Sequence, residues 1–150
     1  MVKQRLISEE PPLPDDAVLV RALFDTYPHG GAFDRDVLIS DVTFNFDLFG
    51  YYGLSLSLVS DPWTLERVLR EKTRRARRVA LFTAGELRAR GLGLVPSGKA
   101  PHYDTTHGPV YGGTHGSVRV TAGSAQELVD PLLTAAYTVE DNPSYEQDSS

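Results

Sequence analysis

A chain of 150 residues with a formal net charge of −5 is the size of one domain and can bury a core without covalent staples. It has no cysteine, which excludes disulfides, thiolate metal sites and cysteine nucleophiles together, and its acidic balance argues against a surface that is basic all round. No apolar run approaches membrane-spanning length and none near Met1 has the form of a signal peptide, so a soluble, cytoplasmic protein with no membrane partner is expected.

Residues 1–16 are polar and contain Pro11, Pro12 and Pro14, the composition of an extended arm. One domain is expected over 17–140, and an acidic, mobile tail over 141–150. Ala17–Phe24 is short, apolar and β-branched at its start, which reads as a core strand. Tyr27-Pro-His-Gly-Gly31 then breaks the chain. In Val42–Leu48 the apolar Val42, Phe44, Phe46 and Leu48 alternate with Thr43, Asn45 and Asp47, and Leu54–Leu58 alternates again. Side chains on a strand point to alternate faces, so a hairpin near 42–59 is predicted. If a helix covers the polar face of that first strand, Asn45 and Asp47 become buried groups that need partners.

Asp61-Pro62 has the form of a helix start, and the predicted helix runs to about Arg75, with Trp63, Leu65, Val68 and Leu69 facing the core. Seven of the fifteen basic residues fall between Arg67 and Arg78. At helical spacing Arg67, Arg70, Arg74 and Arg78 form a stripe, with Lys72 and Arg75 beside it. Such a stripe can track phosphates or dock an acidic partner. The plainer alternative is a solvated face that Glu66 and Glu71 partly balance.

Val79–Phe82 reads as a strand, and Thr83 as the cap of a short helix with Glu86 at the capping-box position and Gly91 as its stop. Leu92–Val95 is a further short strand. Gly93 to Lys99 fits the G-x4-G-K frame of a phosphate loop, but Ala100 and Pro101 stand where a hydroxyl and a helix are required. It reads as a turn, and no nucleotide cofactor is indicated. The stretch from Pro96 to Gly116 is rich in glycine and proline and is expected to be a long loop. Ser117–Val120 reads as a strand, and Ser124 caps a last helix to about Tyr137 that Pro131 kinks or divides. Together these elements give an α+β fold, with a small, mostly antiparallel sheet packed against two or three helices.

Three of the four histidines, His102, His107 and His115, fall in the predicted loop together with Asp104. Imidazole and carboxylate groups meeting at one point would hold a divalent metal, and paired imidazoles would serve as general acid and base near neutral pH. Their spacing matches no metal signature, and the alternative is a polar surface loop. Three functions follow. The first is an accessory protein that binds a macromolecular partner through the arginine-rich helix. The second is a small, toxin-like hydrolase, a ribonuclease or phosphodiesterase, working through the histidine loop. The third is a non-catalytic, nucleic-acid-binding regulator. The first asks for no catalytic group and is the expectation here.

Overall fold

The computed structural model describes residues 13–24, 34–97, 99–107 and 123–146, with the backbone alone for 110–112 and 118–120. Among the described residues eight strands are formed: β1 (Val18–Leu23), β2 (Gly53–Val59), β3 (Arg78–Thr83), β4 (Leu92–Pro96), β5 (His102–His107), β6 (Val110–Gly112), β7 (Val118–Val120) and β8 (Thr138–Asp141). Four helices accompany them among the described residues: α1 (Arg35–Phe49), α2 (Leu65–Glu71), α3 (Ala84–Ala89) and α4 (Ala125–Thr134). Six strands make one open antiparallel sheet in the order β4-β5-β2-β1-β3-β8, and β6 and β7 form a separate ribbon. The fold is α+β.

Alternation along the strands explains the two layers of core. Leu19 and Leu23 of β1, Leu54, Leu56 and Leu58 of β2, Ala80 and Phe82 of β3 and Leu92 and Leu94 of β4 turn to one face. There they meet Leu38 and Val42 of α1, Leu87 of α3 and Leu128, Val129 and Leu132 of α4. On the other face Val20 and Val79 pack with Val68 and Leu69 of α2, with Trp63 and Leu65 alongside.

The predicted hairpin near 42–59 does not form. Its second arm is β2, but Val42–Leu48 belongs to α1. The Asp34 side chain accepts from the Val37 N–H at 2.9 Å to cap this helix, and Gly50, at φ 82°, closes it by donating to the Phe46 carbonyl. The buried residues Val37, Leu38, Val42 and Asn45 follow a helical period, which outweighs the period-two run of apolar residues. No helix among the described residues is long and apolar enough to cross a membrane.

The predicted arginine helix is shorter than expected. Thr64, not Asp61, is its N-cap, accepting from the Arg67 N–H, and the helix stops at Glu71. Thr73 and the buried Asn142 turn the chain: Asn142 Nδ2 donates to the carbonyls of Thr73 (2.9 Å) and Ala76 (3.0 Å). Arg74 therefore sits in a turn and Arg78 opens β3, so the four-arginine stripe is cut in half.

The expected loop from Pro96 is in part a hairpin. β4 pairs with β5 from Leu92–His107 to Pro96–Tyr103, and the phosphate-loop frame begins inside β4. The expected arm and tail are fastened over their described parts. Gly85 N–H donates to the Asp15 carbonyl and Arg88 bonds to the Leu13 carbonyl, while Asp141 pairs with Arg78 on β8 and Glu146 N–H donates to the Arg74 carbonyl. Residues 1–12 and 147–150, the turn at 27–31 and His115 lie outside the described residues. α4 runs through Pro131 and ends at Thr134 rather than near Tyr137.

Candidate functional site

The sheet is divided near its middle. β1 pairs with β3 along its whole length, from Val18–Thr83 to Leu23–Arg78, but with β2 only at Val18–Val59, Leu19–Leu58 and Val20–Ser57. Beyond Val20 the strands part, and β2 keeps only β5 as a partner over Gly53–Leu56. Arg21 occupies the resulting notch. Its Nη1 donates to the Ser55 carbonyl at 3.2 Å across the gap, and Nη2 is paired with the Asp41 carboxylate of α1. The side chains of this pair are 12% and 30% exposed. Part burial strengthens the attraction and also raises the cost of breaking either half.

The notch opens on both faces of the sheet. On the α1 side a cleft of about 230 Å³ is lined by Arg21, Asp41 and Asn45 at its polar end and by Phe44, Leu48 and Phe49 at its apolar end. Phe44 is 64% exposed and forms the rim. Phe46, 41% exposed, stands two residues on, about 200° around the helix axis, and stacks on Tyr52 with ring centroids 4.5 Å apart. The two phenylalanines therefore belong to different surfaces. On the α2 side a second cleft of about 240 Å³ is lined by Arg21, Lys72 and His102, with Ser55, Ser57 and Thr73 between them.

Near the second cleft a polar group is buried in β5. Asp104 is 0% exposed, and the Tyr51 hydroxyl donates to its Oδ2. Asn45, also buried, donates from Nδ2 to the Tyr51 carbonyl at 2.8 Å and so fixes the turn that carries the tyrosine. Gly53 is required beside it, because a Cβ there would lie 2.8 Å from the Tyr51 ring. His102 shares the face of Asp104, with Nε2 3.8 Å from Oδ1, beyond hydrogen-bonding range. Its Nδ1 lies 2.8 Å from both the carbonyl and the hydroxyl of Ser97. A carbonyl only accepts, so Nδ1 carries a proton there. Ser97 is itself buried, and the trio lacks the spacing of a nucleophile–base–acid relay.

Of the other predicted site residues, His107, Arg67 and Arg70 do not join this group. His107 is an odd number of residues from His102, so it faces the other side of the sheet, where Nε2 meets Glu127 Oε2 of α4 at 2.8 Å. Among the described residues no three His, Asp or Glu side chains are arranged to hold a metal ion. Arg67 is paired with Glu71 at 2.8 Å and lies 3.8 Å over the Trp63 ring, while Arg70 is within 4 Å of both Glu66 and Glu71. Those arginines are matched by acids on their own helix. Sequence reasoning missed Arg21, Asp41 and Phe44. The signal that could have found Arg21 was a lone arginine in an otherwise apolar strand, Val18-Leu-Val-Arg-Ala-Leu23. No family model, curated protein or solved structure matches the chain.

Proposed function

We propose that this chain is a non-catalytic binding protein that takes an exposed side chain of a protein partner into the cleft between α1 and the divided sheet. The observation that carries the reading is Phe44, a large apolar side chain left mostly in water on the rim of a concave site whose floor is the Arg21–Asp41 pair. An aromatic rim over a fixed polar group is the composition of interface hot spots. The cleft is smaller than the roughly 300–1,000 Å³ of sites for drug-sized ligands, which suits one inserted side chain. The matched arginines of α2 favour a protein over a phosphate backbone as the macromolecule bound. The separation of His107 from His102 and Asp104 supports a role without catalysis.

The test compares the wild-type chain with Phe44→Asp, both tagged and cross-linked in cells of origin, with recovered proteins quantified by mass spectrometry. Losing a hot-spot aromatic costs about 2 kcal/mol or more, so a specific partner should bind the variant ~30-fold more weakly. Thermal stability should change little, because the side chain is exposed. Equal recovery of every protein by the two forms would refute the reading.

A further inference from the structure

We infer that the α2-side mouth of the notch is a separate binding site for a phosphate group, of the kind carried by a small phosphorylated ligand. Among the described residues its lining holds Arg21, Lys72 and His102 but no carboxylate, in a chain whose net charge is −5. Three positively charged or ionisable side chains from three different segments converge there: β1, the end of α2 and the start of β5. Convergence distinguishes this group from the arginines of α2, which lie along one helix and meet their acids on it.

The polar groups around the cleft have the chemistry that a tetrahedral oxyanion requires. A phosphate presents several acceptor oxygens and is held best by charged donors together with hydroxyls. Lys72, whose Nζ lies 5.1 Å over the Trp63 ring, can swing up to three N–H donors into the cleft on its flexible stem, and Ser55 and Ser57 add hydroxyls from alternate positions of β2. Thr73 is already engaged, its hydroxyl donating to the Leu69 carbonyl, so it shapes the wall. Arg21 is held by Asp41 and the Ser55 carbonyl, so its charge stands at the floor without needing to move. Ser97 fixes the ring of His102 through Nδ1, and Nε2, 3.8 Å from Asp104 Oδ1, donates to a phosphate oxygen only when the ring is the imidazolium, since a neutral ring protonated at Nδ1 has an acceptor there. Among the described residues, Asp41 and Asp104 adjoin Arg21 and His102 but do not line the cleft. A volume of about 240 Å³ suits a single phosphoryl group rather than a nucleotide chain.

The two clefts share Arg21 and Ser55, but Phe44 lines only the α1-side cleft and Lys72 and His102 only this one, so the two readings are tested by different variants. Isothermal titration with inorganic phosphate tests it, followed by phosphoserine and a single-stranded oligonucleotide. One saturable site is expected for inorganic phosphate, weakened about tenfold or more in Lys72→Ala and in His102→Gln, and unchanged in Phe44→Asp. Phosphoserine should compete for that site, and the oligonucleotide should not. Circular dichroism melting identifies any variant that has lost its fold, and Lys72→Ala alters an exposed side chain. Absence of saturable phosphate binding would overturn the inference. So would equal affinity in folded Lys72→Ala and His102→Gln, or tighter binding of the oligonucleotide than of phosphoserine.

Discussion

Asp104 shows how much one side chain can depend on another. A carboxylate with no exposed surface is tolerable only when donors surround it, and the Tyr51 hydroxyl is one of them. Tyr51→Phe keeps the ring beside Gly53 and removes only that donor. The expected loss is about 1–3 kcal/mol, read as a lower midpoint in urea unfolding with an unchanged slope. A change within the error of the measurement would mean that Asp104 is supported without the tyrosine. Neither residue announces this role in the sequence. His102-Tyr-Asp-Thr-Thr-His107 contains no aliphatic residue and follows a proline, so it reads as loop, yet Asp104, Thr105 and Thr106 are all fully buried. Sheet pairing on both sides satisfies the backbone, and the Thr105 hydroxyl adds a bond to the Gly93 carbonyl at 3.0 Å.

At the scale of elements, capped and periodic segments were legible. β1, β2, β3 and β4, the Thr83 cap of α3 and the Ser124 cap of α4 follow from apolar pattern and capping chemistry. α1 did not, and for an instructive reason. Phe44 and Phe46 mimic the alternate positions of a buried strand, but in the helix both are exposed. Large apolar side chains left on the surface of a helix break the pattern that core packing alone would write. β8 was missed because its four residues, Thr138-Val-Glu-Asp141, are all exposed and carry an acidic composition. What holds β8 is the residue that follows it. Asn142 is buried, donates to two carbonyls of the 73–76 turn, and uses its own N–H on the Arg77 carbonyl. Asn142→Ala should cost about 1–3 kcal/mol and release the strand from β3. Hydrogen exchange provides the check: Val139 to Asp141 should lose protection well before β1 and β3, and unaltered protection would contradict this account.

For the molecule as a whole, one acid ties its parts together across the chain. Glu86 of α3 accepts the Ala136 N–H beyond the end of α4 at 2.8 Å, and Arg90 Nε lies 3.2 Å away. The bond to the Ala136 backbone, aided by Arg90, holds its carboxyl below the usual glutamate value, against the opposing effect of desolvation. A group with a depressed folded-state pKa stabilises fully above its unfolded value, near 4.3, and loses that contribution as pH falls through the lower folded value. The stability difference between wild type and Glu86→Gln should therefore be constant from neutral pH down to about 5 and shrink at lower pH. Urea unfolding across that range measures it, and a gap that stays constant into strong acid would count against the assignment.

The division of the main sheet has a mechanical meaning. Six residue pairs join β1 to β3, and only three join it to β2, all at one end. The sheet is thus two three-stranded plates, β4-β5-β2 and β1-β3-β8, welded along a short seam. On the open side of that seam the link between the plates is a side chain, Arg21, reaching the Ser55 carbonyl. Along this seam, a load that spreads the plates is borne by three rungs and one guanidinium.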